Sequence, residues 1–278
     1  MATPIRIAAA QMDVVFANRE ANLTRMMALT QTAASEGAAL IVFPECALTG
    51  YCFGTLEEAR PHAETIPGNA TQRMTQVCQA SNCHVVFGML EADGERLFNA
   101  CVLVGPAGVV SSYRKVHLPF LGIDRFVTPG DRPFAVHDIG GLRVGMNICY
   151  DGSFPESARI MTLQGADLIV LPTNWPPGSE CMAGCVVNAR AMENHIYYLA
   201  VNRVGTEGGF RFIGASKICA PGGQVLADAP HERETILWAS IDVDLARNKQ
   251  QVRVPGLHEI NRIRDRRPDL YGPLVEPK

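Results

Sequence analysis

The chain has 278 residues, of which 47% are hydrophobic and 19% charged, with a formal net charge of −3. That balance supports a large apolar core and excludes a disordered chain. The only basic cluster, Arg262-Ile-Arg264-Asp-Arg266-Arg267, is short and interrupted, so no electrostatic ground exists for a nucleic-acid or membrane partner. No apolar run approaches membrane-spanning length. Met1-Ala-Thr-Pro4 leads straight into a strand-like segment, without the charged and apolar regions of a leader. Cysteines are odd in number, mostly within predicted core elements, and never spaced C-x-x-C. Reduced thiols and a cytoplasmic location are expected. Cys83-His84 and Cys181-x-x-x-Cys185 read better as packing than as metal ligands, and neither a metal nor another cofactor is expected.

In chain order, residues 5–10 form a buried strand that leaves into a loop at Gln11-Met-Asp13. Asn18 or Asn22 can cap a helix with Leu23, Met26, Met27, Leu29 and Ala33 at helical spacing, ending at Gly37. Residues 37–43 are a continuous apolar run, as in a parallel strand buried on both faces, and stop at Pro44-Glu45. A helix over about residues 70–81 precedes a strand over 84–90. Residues 98–104 and 109–114 make a hairpin around Gly105-Pro-Ala-Gly108 that delivers Lys115. The long loop 115–133 carries the signature of a functional segment.

Strands follow over 134–139 and 142–148, then a helix over about 153–164. Ser153-x-x-Glu156 reads as its capping box, with Pro155 in the first turn. Residues 165–172, Gly-Ala-Asp-Leu-Ile-Val-Leu-Pro, nearly repeat residues 37–44, which implies two similar β-α-β halves. Each repeat is expected to end its strand at a proline, with active residues just beyond. A helix over 181–194, strands over 197–201, 212–219 and 234–243, and a short helix over 244–251 complete the reading. No linker divides the chain. One domain over 1–278 is expected, with a core of about 5–243 and a polar extension, 244–278, that packs on a partner subunit or has little order.

The segment Asn147-Ile-Cys149-Tyr-Asp151-Gly-Ser-Phe154 places a cysteine on the turn from a strand's carboxyl end to a helix's amino end, where open α/β sheets place their chemistry. The helix start predicts a thiol that ionises more easily than a free one. Glu45 and Lys115 also sit just past strand ends. A carboxylate can take the thiol's proton and return one to leaving ammonia. An ammonium and the backbone N–H of Tyr150 can stabilise a tetrahedral oxyanion. The three side chains are a sufficient kit for hydrolysing a carbon–nitrogen bond through a thioester. Singly, each has a bland reading: a buried thiol, a turn glutamate, a solvated lysine.

Phe43-Pro-Glu45 with Leu48-Thr-Gly-Tyr51, Tyr113-Arg-Lys115-Val-His117-Leu-Pro119, and the cysteine segment through Glu156 closely resemble, in order, three motifs of the nitrilase, or carbon–nitrogen hydrolase, superfamily. Arg190-Ala-x-Glu193-Asn194, Asn202-Arg-Val-Gly205 and Phe212-x-Gly214-x-Ser216 resemble further stretches. The resemblance implies a single-domain α/β fold with internal pseudo-symmetry, a four-layer α-β-β-α sandwich. It also implies Glu45 as base and acid, Lys115 as the oxyanion's cation and Cys149 as nucleophile, and a homodimer or larger assembly. Many members carry a second glutamate after the lysine. Asp124 stands nearest that place here, one methylene shorter, and either serves or leaves the role empty.

Tyr150-Asp151 after the cysteine is closer to the amidase and N-carbamoyl-amine hydrolase branches than to true nitrilases. Tyr51, Phe120, Asn174 and Trp175 follow strand ends and are pocket candidates. Some hydrolases of carboxylate-bearing amides have an arginine between the residues matching Asp151 and Phe154. This chain has none, so the resemblance does not specially indicate a carboxylate on the substrate, and a small neutral or amine-bearing amide is preferred. His117, on the same face as Lys115 if the strand continues, raises a Cys–His dyad as a rival, against a structural histidine. Glu156 reads as a cap. From a different class, a silent metabolite- or oxidant-sensing protein on the same fold competes, as does an acyltransferase.

Overall fold

A computed structural model describes residues 4–230 and 232–276. Its elements run β1 (Ile5–Gln11), α1 (Arg19–Ser35), β2 (Leu40–Val42), α2 (Leu56–Ala59), α3 (Asn69–Ser81), β3 (His84–Asp93), β4 (Arg96–Gly105), β5 (Gly108–Arg114), β6 (Val136–Asp138), β7 (Arg143–Met146), α4 (Pro155–Leu163), β8 (Leu168–Thr173) and α5 (Val187–Asn194). There follow β9 (Tyr197–Asn202), β10 (Thr206–Glu207), β11 (Phe210–Arg211), β12 (Lys217–Cys219), β13 (Val225–Asp228), β14 (Thr235–Ile241), α6 (Val243–Arg247), β15 (Gln251–Val254) and β16 (His258–Ile260).

Two six-stranded sheets result, ordered β14-β1-β2-β3-β4-β5 and β13-β12-β9-β8-β7-β6. In each, three central strands run parallel: β1, β2 and β3 in one, β7, β8 and β9 in the other. The repeated apolar runs form the middle strand of each trio, which explains why β2 and β8 are buried at every position.

Alternation along the strands makes the layers. Ile7, Ala9, Leu40, Val42 and Val86 turn inward to meet Val144, Met146, Leu168 and Val170 of the other sheet. Ala8, Ala10, Ile41, Val85 and Phe87 turn outward onto Leu23 and Met26 of α1 and Met74 and Val77 of α3. On the opposite side Ala158 and Met161 of α4 and Val187 and Ala191 of α5 cover the second sheet. The arrangement is a four-layer α-β-β-α sandwich.

Four local readings are corrected. Pro172 does not stop its strand: β8 pairs with β9 through Pro172↔Val201 and Thr173↔Asn202. The β7 ladder has already ended at Met146↔Val170, so the missing N–H faces no partner strand there. Ser153 caps no helix, because residues Cys149–Ser153 form a 3₁₀ turn and α4 starts at Pro155 with Phe154 as its N-cap. The expected strand over 212–219 is broken before β12, since Gly214 and Ala215 adopt φ of 60° and 56°. The extension is not shapeless: α6 is capped by Asp242, and β15 and β16 pair as a hairpin. The nine cysteines are free thiols. Among the described residues no helix is long and apolar enough to cross a membrane, and no group of three or more His, Cys, Asp or Glu is arranged to hold a metal.

Candidate active site

The ends of β2, β5 and β7 deliver the three sequence-predicted residues to one place. Past β2, the amide of Gly88 on β3 donates to Pro44 O at 3.1 Å and Gly88 O accepts from Leu48 N at 3.1 Å. A Cβ at residue 88 would lie 2.6 Å from the Glu45 Cα, so only glycine lets β3 grip this loop so closely. Past β5, Lys115 N donates to Asn99 O and Lys115 O accepts from Gly130 N, both at 2.8 Å. Next to it, Arg114 is held by Glu91 at 2.6 Å and Asp131 at 3.0 Å, which fixes the backbone bearing the lysine. Past β7, Cys149 takes a φ of 45°, a strained region for a side chain with a Cβ and one found disproportionately at functional sites.

The Lys115 ammonium donates to Glu45 Oε1 at 2.7 Å and to Asp124 Oδ2 at 2.5 Å, and all three side chains are 0% exposed. Asn99, on β4, bridges the carboxylates: its Nδ2 donates to Glu45 Oε1 at 2.7 Å and to Asp124 Oδ1 at 2.8 Å. The Tyr51 hydroxyl donates to Asp124 Oδ2 at 2.7 Å. Burial, which outweighs the attraction of Lys115, raises the Glu45 carboxyl above its ordinary 4.5, with Asp124 adding to the rise. For Lys115, burial alone would depress the ammonium, but Asp124 and Glu45 overcome it and hold the group charged well above its usual 10.5. Glu45 Oε2 is buried and without a hydrogen-bond partner among the described residues.

The Cys149 thiol does not behave as its place in the sequence suggested. Burial foremost, then Glu45, push it up to about 12, against the opposing pulls of Lys115, the Thr173 hydroxyl and the backbone N–H of Asn174. The turn after Cys149 is too short to bring a helix field to bear, and α4 begins only at Pro155. At neutral pH the Cys149 sulfur therefore rests as a neutral thiol. Tyr150, which follows it, is 41% exposed and packs edge-on against Phe154.

Asp151 ties the lysine loop to the cysteine loop. Its Oδ2 accepts from Tyr113 OH at 2.8 Å and Ile148 N at 3.0 Å, while its Oδ1 accepts from His117 N at 3.0 Å and meets His117 Nδ1 at 2.7 Å. The His117 ring also stacks on Phe154 at 3.7 Å. The geometry thus engages His117 as a brace between loops.

Of the pocket candidates, Tyr51 joins the charged cluster. Asn174 is buried, and both of its side-chain heteroatoms lack a hydrogen-bond partner among the described residues, while the adjacent Thr173 hydroxyl faces the Cys149 thiol. Trp175 packs inside, its backbone held at both ends by the Asn202 amide. Phe120 is set apart: it is 90% exposed, at the apex of a tight turn closed by Leu121 N donating to Pro119 O at 2.8 Å. Sequence reasoning overlooked Asn99, Thr173 and the linking part of Asp151. Asn99 did leave a signal, a lone amide within the apolar run Leu97-Phe-Asn-Ala-Cys-Val102.

Residues 6–251 match the family model described as carbon-nitrogen hydrolase. The chain is 39% identical over 270 residues to a nitrilase of Pyrococcus abyssi, covering 96% of this chain and 99% of that one. It is 32% identical over 274 residues to the omega-amidase NIT2 of Mus musculus, covering 92% of each. Among solved structures, an amidase of Nesterenkonia sp. AN1 superposes with a TM-score of 0.79 at 26% identity over 98% of this chain and 100% of that one. That structure, of a mutant, carries the Michael adduct of acrylamide on its active-site cysteine.

Proposed function

The chain belongs to the carbon–nitrogen hydrolase family, and from that premise we propose a cysteine amidase, converting a small amide R–CO–NH2 to the acid and ammonia. Glu45 Oε2 takes the Cys149 proton as the sulfur attacks the carbonyl carbon. The carbonyl electrons move to oxygen, where the Lys115 ammonium and the Tyr150 amide receive the negative charge. The C–N bond breaks as Glu45 returns the proton to nitrogen, ammonia leaves, and a thioester stays on Cys149. Water then attacks the thioester with Glu45 again as base, releasing the acid and restoring the thiol.

The observation that carries this reading is the division of labour within Glu45. Oε1 is fixed by Lys115 and Asn99, while Oε2 is buried and unclaimed among the described residues. A neutral thiol needs such a base, and the thiol's high value supports proton transfer during attack rather than beforehand. Asp124 serves as the lysine's standing counter-ion, leaving Glu45 to cycle its proton. Tyr51 and Asn174 belong to the pocket, and Trp175 backs it.

Ile160, Leu163, Leu270, Leu274 and Val275 expose apolar surface between α4 and the end of the chain, beside a groove of about 740 Å³. This surface supports the association of two copies.

The test is ammonia release from primary amides, nitriles and N-carbamoyl amines, with intact-mass analysis of the quenched enzyme. An acyl mass on Cys149 with turnover of an amide is expected. Release from nitriles alone would make the protein a nitrilase, adduct on Cys46 or Cys52 would sink the nucleophile assignment, and silence on all three classes would favour a sensing protein.

A further inference from the structure

Behind loop 45–53, the second half of the chain reaches into the first. Arg203, fully buried just past β9, donates to Glu207 through Nη1, to Asp13 Oδ1 at 3.0 Å and to Val14 O at 2.8 Å, and lies over the Phe212 ring at 4.6 Å. Glu207 Oε1 accepts from the backbone amides of both Tyr51 and Cys52, each at 2.6 Å. One oxygen is thus taken by a guanidinium and the other by two successive amides, which leaves the carboxylate no freedom to turn. The β10–β11 hairpin carrying Glu207 lies so close to the loop that a Cβ on Gly208 would fall 2.6 Å from the Cys52 Cβ.

A buried ion pair is weak ground for stability, since well-packed apolar residues fill such a space without desolvating two charges. What this carboxylate supplies, and an apolar side chain does not, is an acceptor for two amides at the root of Tyr51. From that root a chain of contacts leads to the site: Tyr51 OH to Asp124 at 2.7 Å, and Asp124 to the Lys115 ammonium at 2.5 Å. We propose that Glu207, oriented by Arg203, is a positioning residue for amide hydrolysis: it fixes Tyr51, which sets Asp124 and thereby the place of the Lys115 ammonium. The proposal rests on the amidase reading only where turnover is the readout.

The experiment compares Glu207→Gln, Tyr51→Phe and their double variant in the full chain. Two readouts are used: turnover of propionamide, and the pH dependence of Cys149 alkylation by iodoacetamide. Glu207→Gln and Tyr51→Phe should each lower kcat about tenfold with KM nearly unchanged. The double variant should be little worse than the worse single, because both act through one chain of contacts. Alkylation should shift to higher pH in both singles, since a displaced ammonium stabilises the thiolate less. Glu207→Asp keeps the charge for Arg203 while withdrawing the acceptor, and takes over should Glu207→Gln fail to accumulate. Wild-type kcat and alkylation in Glu207→Gln with only a lower melting temperature, or losses that multiply in the double variant, would overturn the proposal. Should the wild type leave propionamide and other primary amides untouched, the amidase reading fails by itself and the alkylation profile decides.

Discussion

Lys115→Ala strikes both the fold and the reaction, and the two effects can be separated. The substitution leaves Glu45 and Asp124, both 0% exposed, bridged by Asn99 with no cation between them. Removing one partner of a buried pair costs about 3–5 kcal/mol. At about 2–4 °C per kcal/mol for a chain of this size, the melting temperature should fall by about 6–20 °C. The pair can relieve itself only by binding a proton. Glu45, already raised by burial, is the group to take it, and a protonated Glu45 is no base. With the proposed cation for the oxyanion also gone, kcat should fall about 10²-fold or more. Lys115→Arg should not rescue it, because a planar fork does not fit a point-charge site between two carboxylates. The Lys115→Ala/Asp124→Asn double variant removes one of the two carboxylates left without a cation, so it should regain part of the melting temperature while kcat stays low. Thermal melts and steady-state amide turnover on the same preparations measure both. Near-normal kcat in Lys115→Ala, or a double variant that recovers kcat along with stability, would refute the reasoning.

His117→Ala should keep most of kcat while melting a few degrees lower, since the ring braces Asp151 and stacks on Phe154; a dead His117→Ala beside an active Lys115→Ala would install a Cys–His dyad instead. The profile of kcat/KM should show its acid limb above 4.5, because Glu45 must be ionised to accept the thiol proton and its value is raised. With Cys149 at about 12 and Lys115 held well above 10.5, no alkaline limb should appear in the neutral range, and a fall there would contradict the assignment. Light scattering at micromolar concentration should give a homodimer or larger particle, with Ile160→Glu or Leu163→Glu shifting it toward monomer; a monomeric wild type would remove the association reading.

What the sequence by itself determined is where the three strands that carry the candidate site end. Apolar runs closed by Pro44, by the hairpin before Lys115 and by the turn at Gly152 are local signals, and they put Glu45, Lys115 and Cys149 just past β2, β5 and β7. The repeat of residues 37–44 at 165–172 was legible for the same reason; it implied two similar β-α-β halves, and in the structure the two runs form the middle strand of the parallel trio in each sheet. Tertiary structure decided whatever depends on neighbours far along the chain. Asn99 bridges two carboxylates only because β4 pairs with both β3 and β5. Pro172 stays in its ladder because β7 ends first, and Phe120 stands in solvent because a tight turn lifts it out. The ionisation of Cys149 was misjudged from sequence because a short-range cue, the helix start, is outweighed by burial and by the Glu45 carboxylate. Glu207 reaches the amides of Tyr51 and Cys52 across the gap between the two halves, a contact that no local pattern encodes. Periodicity and punctuation are properties of neighbouring residues, whereas proton affinity and hydrogen-bond pairing are properties of what surrounds a group in space.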